Sequence, residues 1–259
     1  MTSLLAWIAV DKRRPTGLYF ASDSRRSWKD RDEIRDDCIK LFLPSGTREI
    51  FGFAGDITFP SKVLTRICSE LESDPELVNG TEDPYNRYCC VLAKLKAEFD
   101  ALTSKPEHEF TILHGTRVGA MYKASFHLFQ YTYDFASGQL SSGSLSCEAG
   151  SSVMVSRQGS GGIIVKSFLE KETAKLGEVS RAHFSAFCNA VDSGQDKCTG
   201  GPIQLAGVHS IKDSLHYGVV TPNGTYYRGS TQLPANVSGI RWRNREFAKV
   251  DSLGNVLPR

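Results

Sequence analysis

The 259-residue sequence lacks most of the short motifs that would assign it a function directly. It has no G-x-x-x-x-G-K-[ST] P-loop and no G-x-S-x-G elbow of the α/β-hydrolases. The six histidines follow neither HExxH nor another ligand spacing, so we expect no metal site and no cofactor. The cluster RQGSGG at 157–162 precedes a predicted helix, but a short glycine cluster is weak support for phosphate binding.

Cysteine, charge and apolar runs set further limits. The seven cysteines are an odd number without a C-x-x-C pair, which is typical of neither a disulfide framework nor a zinc site. No apolar run approaches the roughly 20 residues that cross a bilayer, and no signal peptide is evident. The net charge of +2 does not indicate nucleic-acid binding. We therefore expect a cytoplasmic protein that binds neither nucleic acid nor a membrane.

Hydrophobic periodicity predicts strands and helices in separate runs. In chain order these are strand hairpins over 3–24 and 40–55, helices over 59–71 and 88–102, strands within 110–156, helices over 162–176 and 179–191, and strands within 202–229. The mixed-charge stretch RWRNREFAK (241–249) is more typical of a solvated edge than of a binding site. Segregated runs favour an α+β fold with antiparallel sheets. Two packed sheets with a helix pair on each outer face, a four-layer αββα sandwich, would bury every apolar face.

Four residues with chemically useful groups lie at the ends of the first four predicted strands. Thr2 precedes the first strand, and Asp23 ends the second. Lys40 begins the third strand, and Gly55 ends the fourth, just where the first helix starts. Because strand ends meet at one edge of a sheet, we expect these groups to lie together.

Thr2 is either an ordinary leading residue or a nucleophile that becomes active when Met1 is removed. A Thr hydroxyl is a weak nucleophile until a base takes its proton, and a free α-amine with a pKa of about 8 can be that base. A nearby Lys40 would lower the pKa of this amine by like charge, and Asp23 would hold the lysine in place. The backbone N–H of Gly55 would suit an oxyanion.

With these residues in this order, the sequence resembles the proteasome β-type subunits. These are N-terminal-nucleophile (Ntn) hydrolases, a group that includes the bacterial peptidase HslV and the bacterial homologue Anbu. The similarity covers about residues 2–228. The matching segments are Thr2 before an apolar strand, ASDSR at 21–25, KLF at 40–42, GFAGD at 52–56, GSG at 159–161 and DKCTGGPIQL at 196–205.

The resemblance implies a role for each matched residue. Thr2 would be the nucleophile, with its own amine as proton acceptor. Lys40 would adjust the electrostatics of the hydroxyl and the amine, and Asp23 would orient Lys40. Gly55 would stabilise the oxyanion. A hydrogen-bonded cluster around the amine would comprise Ser160, Asp196 and Thr199. The pocket for the residue before the scissile bond, with an apolar or small preference, would be lined by Phe53, Ile57 and Ser61.

The resemblance also implies an assembly. We expect a single domain over 1–235 with a C-terminal extension over 236–259, in a homo-oligomeric ring or spiral that cleaves polypeptides. An ATP-dependent unfoldase would be a separate partner, because this chain has no ATPase motif. Methionine aminopeptidase is expected to remove Met1, since Thr is small. The segment KRRPT (12–16) and the C-terminal tail depart from the family pattern, which affects ring geometry more than chemistry.

Each matched residue also has a purely structural explanation. These explanations are a turn ion pair for Asp23 and Arg25, a strand-edge charge for Lys40, a helix N-cap for Ser160, and turn positions for Asp196 and Thr199. Two functional alternatives remain open beside a peptidase. One is an inactive scaffold or regulatory subunit with the same fold, and the other is an amidase of small molecules.

Overall fold

A computed structural model describes residues 2–12, 14–28 and 33–258 as a mixed α/β fold. Its strands are β1 (Leu4–Asp11), β2 (Arg14–Ser22), β3 (Arg26–Trp28), β4 (Glu33–Arg35), β5 (Leu41–Phe42), β6 (Glu49–Gly55), β7 (Phe110–Val118), β8 (Ser125–Asp134), β9 (Gln139–Leu145), β10 (Val153–Gln158), β11 (Gln204–His209), β12 (Leu215–Thr221), β13 (Gly224–Tyr227), β14 (Arg241–Asn244) and β15 (Lys249–Val250). Its helices are α1 (Thr58–Ser73), α2 (Glu76–Asn79), α3 (Pro84–Asp100), α4 (Gly162–Leu176) and α5 (Ser180–Asp192). Within these ranges, no helix is both long enough and apolar enough to cross a membrane.

The strands form two main sheets. The larger sheet has the order β10-β1-β2-β11-β12-β14-β15, with β13 also paired to β12, and the smaller has the order β5-β6-β7-β8-β9. Strands β3 and β4 form a separate two-stranded ribbon. The pairings described are antiparallel, as the segregated pattern predicts, except that β14 runs parallel to β12.

Alternating side chains divide the interior into three apolar clusters. Along β1, Leu4, Ala6 and Ile8 join a cluster that also contains Leu41 and Leu113 of the smaller sheet, so this cluster lies between the sheets. The intervening side chains of β1 pack with helices α4 and α5. The smaller sheet alternates in the same way, and its other face packs against α1 and α3. The period of two in each strand thus gives both sheets two buried faces.

Two stretches differ from the sequence prediction. The apolar segment 120–134, within the region predicted as strands, forms a strand only from Ser125, because Gly119 has a φ of +66° and the chain makes a 3-10 turn at Met121–Lys123. The charged stretch 241–249 contains β14, which lies between β12 and the edge strand β15, and this strand has a buried side: Trp242 is only 5% exposed. A Cβ added at Gly218 would lie 2.0 Å from the Trp242 ring, so the C-terminal extension docks against β12 where a glycine leaves room.

Candidate active site

A buried ion pair joins Asp23, which follows β2, to Lys40, which precedes β5. Asp23 and Lys40 are both fully buried, and Lys40 Nζ lies 2.8 Å from Asp23 Oδ1. Lys40 Nζ also donates a hydrogen bond to the carbonyl oxygen of Arg25. A strand-edge charge that prevents aggregation must face solvent, so this explanation does not apply to Lys40. A lysine without exposure needs its partner, because an unpaired buried charge is costly.

The Asp23 carboxylate also holds the backbone around it. Its Oδ1 accepts the N–H of Ser3 at 3.0 Å, and its Oδ2 accepts the N–H groups of Arg25 at 3.2 Å and of Gly200 at 3.0 Å. The Arg25 guanidinium pairs with Asp36 instead, with Nε 2.8 Å from Oδ1. Asp23 is therefore not half of a turn ion pair with Arg25. It fixes the start of β1 against the lysine.

Thr2 directly precedes Ser3, whose N–H binds Asp23, and the Thr2 hydroxyl is unusual because it is buried without a partner in the part of the chain that the structure describes. The residue is fully buried, and its Oγ1 has no hydrogen-bond partner among the described residues. Most buried hydroxyls have a partner, so this group is held at a cost in stability. The carbonyl of Thr2 packs so closely on Gly159, whose φ is +85°, that a Cβ there would lie 1.7 Å from the oxygen. Met1 lies outside the described residues, and its removal stays a prediction.

Ser160, Asp196 and Thr199 form one hydrogen-bonded cluster. Ser160 Oγ and Thr199 Oγ1 donate to Asp196 Oδ2 at 2.6 and 2.8 Å. Since the Thr199 proton is used in this bond, Ser3 Oγ is the donor in its 2.8 Å bond with Thr199 Oγ1. The cap of α4 is Gly161 without a side-chain bond, so Ser160 is not a helix cap. The cluster thereby connects to the residue after Thr2.

The charge of Asp196 follows from the same bonds. Burial alone raises the pKa of this carboxyl, but hydrogen bonds from Ser160, the Cys198 N–H and Thr199 outweigh it, so its pKa lies below the ordinary value. The Cys198 N–H bond, 2.9 Å long, is a turn contact, so Asp196 does have the turn role that the sequence allows. It combines this role with a negative charge beside the hydroxyl cluster.

Gly55 ends β6 in a conformation that favours glycine. Its φ is +100°, and a Cβ there would lie 2.3 Å from the carbonyl oxygen of Glu109. The N–H of Phe53 donates to the carbonyl of Lys40 at 3.3 Å, which places the end of β6 beside the lysine. Helix α1 begins three residues after Gly55, at Thr58. Gly55 thus lies two residues beyond the backbone contact between Phe53 and Lys40, and its role as an oxyanion donor stays a prediction.

The three predicted pocket residues lie on one short segment around this strand end. Phe53 is fully buried in the cluster beneath α1 and α3, with its ring centroid 6.2 Å from that of Phe42. Ile57 immediately precedes α1 and is partly buried, and Ser61 is partly exposed in the first turns of the helix. Their role in substrate binding stays a prediction.

Gln204 is a site residue that sequence reasoning missed. It is 1% exposed, and its Nε2 donates to the Asp23 carbonyl at 3.1 Å, to Ser24 Oγ at 2.8 Å and to the Cys38 carbonyl at 2.8 Å. Its Oε1 accepts the Lys40 N–H at 3.0 Å. The available signal was a lone amide inside the apolar strand segment PIQLAGV (202–208). One side chain therefore fixes the backbones that carry both members of the ion pair.

No protein-family model matches this chain, and no curated protein matches it significantly.

Substitution of Gly161 by Ala is expected to disrupt the hydroxyl cluster. A Cβ there would lie 1.9 Å from Ser3 Oγ and 2.6 Å from Thr199 Oγ1, so Ser3 must rotate and break its bond. We expect a loss of about 1–3 kcal/mol in the free energy of unfolding, measured in urea. Gly150→Ala is the matched control, since a Cβ at Gly150 meets nothing within 4 Å. Equal stability of the two variants would contradict the described packing.

Proposed function

We propose that this chain is a threonine-type Ntn hydrolase that cleaves amide bonds in polypeptides with Thr2 as nucleophile. The observation that supports this most directly is the fully buried Lys40–Asp23 pair at the start of the strand that Thr2 precedes. The unpartnered Thr2 hydroxyl adds to it, because a nucleophile must keep its oxygen free for the substrate.

The three apolar clusters support the corresponding fold. Helices α1 and α3, the smaller sheet, the larger sheet, and helices α4 and α5 are connected in that order by packed side chains. We propose that this arrangement is the four-layer αββα sandwich of a proteasome-like subunit.

Acylation is the first half of the proposed reaction. The Thr2 α-amine, once freed from Met1, takes the proton of Oγ1 while the oxygen attacks the scissile carbonyl carbon. The new C–O bond gives a tetrahedral intermediate, whose oxyanion accepts a hydrogen bond from the Gly55 N–H. Lys40 supplies positive charge beside the developing alkoxide, and Asp23 fixes its position. While Met1 is attached, its peptide bond removes the basic amine and the reaction cannot start.

Deacylation completes the cycle. The C–N bond breaks, the leaving amine takes the proton from the Thr2 ammonium, and an ester between Thr2 and the acyl half of the substrate remains. Water then attacks the ester carbonyl carbon and gives a proton to the amine. The C–O bond to Thr2 breaks, Oγ1 takes this proton back, and the acid product leaves. Ser160 and the ionised Asp196 hydrogen-bond within the cluster that orients the amine.

The proposed setting is a cytoplasmic homo-oligomer, a ring or a spiral, that encloses the sites. Folded substrates would then need an ATP-dependent unfoldase as partner. This part of the proposal comes from the resemblance to proteasome-like peptidases and not from a contact within the chain.

Removal of Met1 in vitro provides the test. Purified protein that carries Met1 is treated with methionine aminopeptidase, and hydrolysis of fluorogenic peptides and of small aryl amides is followed before and after. We expect peptide cleavage to appear only in the treated sample, because only there is the amine free. Cleavage of small amides but not peptides would indicate the amidase, and no cleavage of either would indicate the scaffold.

A further inference from the structure

The C-terminal extension forms one end of the larger sheet, and a cavity lies there. The cavity is lined by several extension residues between Val237 and Leu257 and by Lys212 of the β11–β12 loop. Its volume is about 650 Å³, within the range of about 300–1,000 Å³ typical of small-molecule sites. Strand β1, which follows Thr2, lies toward the other end of the same sheet, next to β10. The cavity is therefore built from other elements than the Thr2 site.

The lining of this cavity has a strong excess of positive charge. It contains Lys212, Arg241, Arg243 and Lys249 against a single carboxylate, Asp251. The Asp251 carboxylate already accepts the backbone N–H of two residues in its own turn, at 2.9 Å each. In the described ranges, none of the four basic side chains forms an ion pair with a carboxylate. Like charges gathered without counter-charges repel one another, and a bound anion would relieve this repulsion.

The pKa of the neighbouring His209 is affected by the same positive charges. Burial, together with the charges of Arg241, Arg243 and Lys212, lowers the pKa of His209 to about 4. The Arg243 guanidinium is held over the ring of Tyr217, with Cζ 5.1 Å from the centroid. Its Nε is buried and has no hydrogen-bond partner among the described residues. Arg243 therefore contributes positive charge to the cavity, whereas the exposed Arg241, Lys249 and Lys212 are the basic side chains that a ligand can contact.

Apolar side chains complete the wall. Val237, Ile240, Val250 and Leu257 line the cavity beside Trp242. Leu257 is 46% exposed, which leaves apolar surface open to a ligand. Ligand sites commonly combine such apolar walls with a few placed charges. The wall therefore favours an anion attached to an apolar body over a bare inorganic ion.

We propose that this cavity binds a small organic anion in which a carboxylate or phosphate group is attached to an aromatic or aliphatic body. The charged group contacts Arg241 and Lys249 at the rim, and the body covers the valine and leucine side chains. Such a site would place a regulatory or carrier ligand on the C-terminal extension. The proposal does not depend on the reaction at Thr2.

Calorimetric titration with matched naphthalene probes tests the proposal. The probes are 2-naphthoate, 2-naphthyl phosphate and the neutral 2-naphthamide, so that only the polar group changes. We expect at least one anion to bind with one site per chain and about tenfold or more tightly than the amide. The tighter of the two anions identifies the charged group as carboxylate or phosphate.

Variants locate the binding. The double substitution Arg241→Gln with Lys249→Gln is expected to weaken anion binding about tenfold or more. The matched control is Arg181→Gln with Lys62→Gln, two exposed basic residues on α5 and α1, and its affinity is expected to equal that of the parent. Lys212→Gln is a second variant that keeps the edge strands intact. The proposal is overturned if neither anion binds saturably, if the amide binds as tightly, or if the control weakens binding equally.

Discussion

Thr2→Ala is expected to remove hydrolytic activity while leaving the fold as stable as in the parent chain. Loss of the nucleophile typically lowers kcat by at least about 10⁴-fold in enzymes that use covalent catalysis. The Thr2 hydroxyl is buried without a partner, so its removal breaks no hydrogen bond and eliminates an unsatisfied polar group. We therefore expect the free energy of unfolding to change by less than about 1 kcal/mol. Peptide hydrolysis and urea unfolding on the same preparations measure both quantities.

Ser3→Ala is the matched control for this prediction. Ser3 is also fully buried, but its Oγ donates to Thr199 Oγ1 at 2.8 Å. Its removal is expected to cost about 1 kcal/mol of stability and to leave measurable hydrolysis, because this oxygen forms no bond to the substrate. Stability and activity should thus change in opposite ways in the two variants. Parent-like hydrolysis by Thr2→Ala would show that another residue is the nucleophile.

Arg87→Met is expected to produce the largest loss of stability, about 3–5 kcal/mol. Arg87, Glu49 and His114 are fully buried between α3 and the smaller sheet. Arg87 Nη1 lies 2.8 Å from Glu49 Oε1, and His114 Nε2 lies 2.6 Å from Glu49 Oε2. Removal of the guanidinium leaves the buried carboxylate without its permanently charged partner. Urea unfolding measures the loss.

Two variants control for this loss. The exposed Arg181→Gln on α5 is expected to change stability by no more than about 0.5 kcal/mol. The double variant Glu49→Gln with Arg87→Met should recover part of the loss, because it buries no unpaired charge. A value for Arg87→Met within about 1 kcal/mol of the parent would be inconsistent with the described network.

The same network gives the stability a pH dependence. Burial alone raises the pKa of Glu49, but the hydrogen bond and charge of His114, the charge of Arg87 and the Thr116 hydroxyl outweigh it, so its pKa lies below the ordinary value. A lowered carboxyl pKa contributes stability above the unfolded pKa of about 4.3, and this contribution is lost as the pH falls through the folded pKa. The stability difference between the parent and Glu49→Gln should therefore shrink in acid.

Local patterns predicted the elements well. The helix expected over 162–176 is confirmed as α4, because apolar spacing and a terminal Gly177 define its face and its end. The hairpin expected over 3–24 is also confirmed, as β1 and β2. The break before β8 was missed, since the apolar run continues through it and only the positive φ at Gly119 ends the strand.

Contacts between distant residues were the part that local patterns missed. Glu49, Arg87 and His114 come from β6, α3 and β7, and nothing near each residue in the sequence indicates that they meet. Gln204 lies 164 positions from Lys40, whose backbone it binds. Such contacts depend on strand register and layer packing, which a period of two or 3.6 does not specify. The Asp23–Lys40 pair was expected only because strand ends meet at one edge of a sheet.

The most direct test of the central proposal is the intact mass of the protein isolated from its own host, before and after exposure to a peptide epoxyketone. We predict a chain without Met1 that gains a single adduct, mapped by peptide sequencing to Thr2, with no adduct in Thr2→Ala. A chain that keeps Met1 and gains no adduct would contradict the account, and would indicate a proteasome-like body whose role is not cleavage.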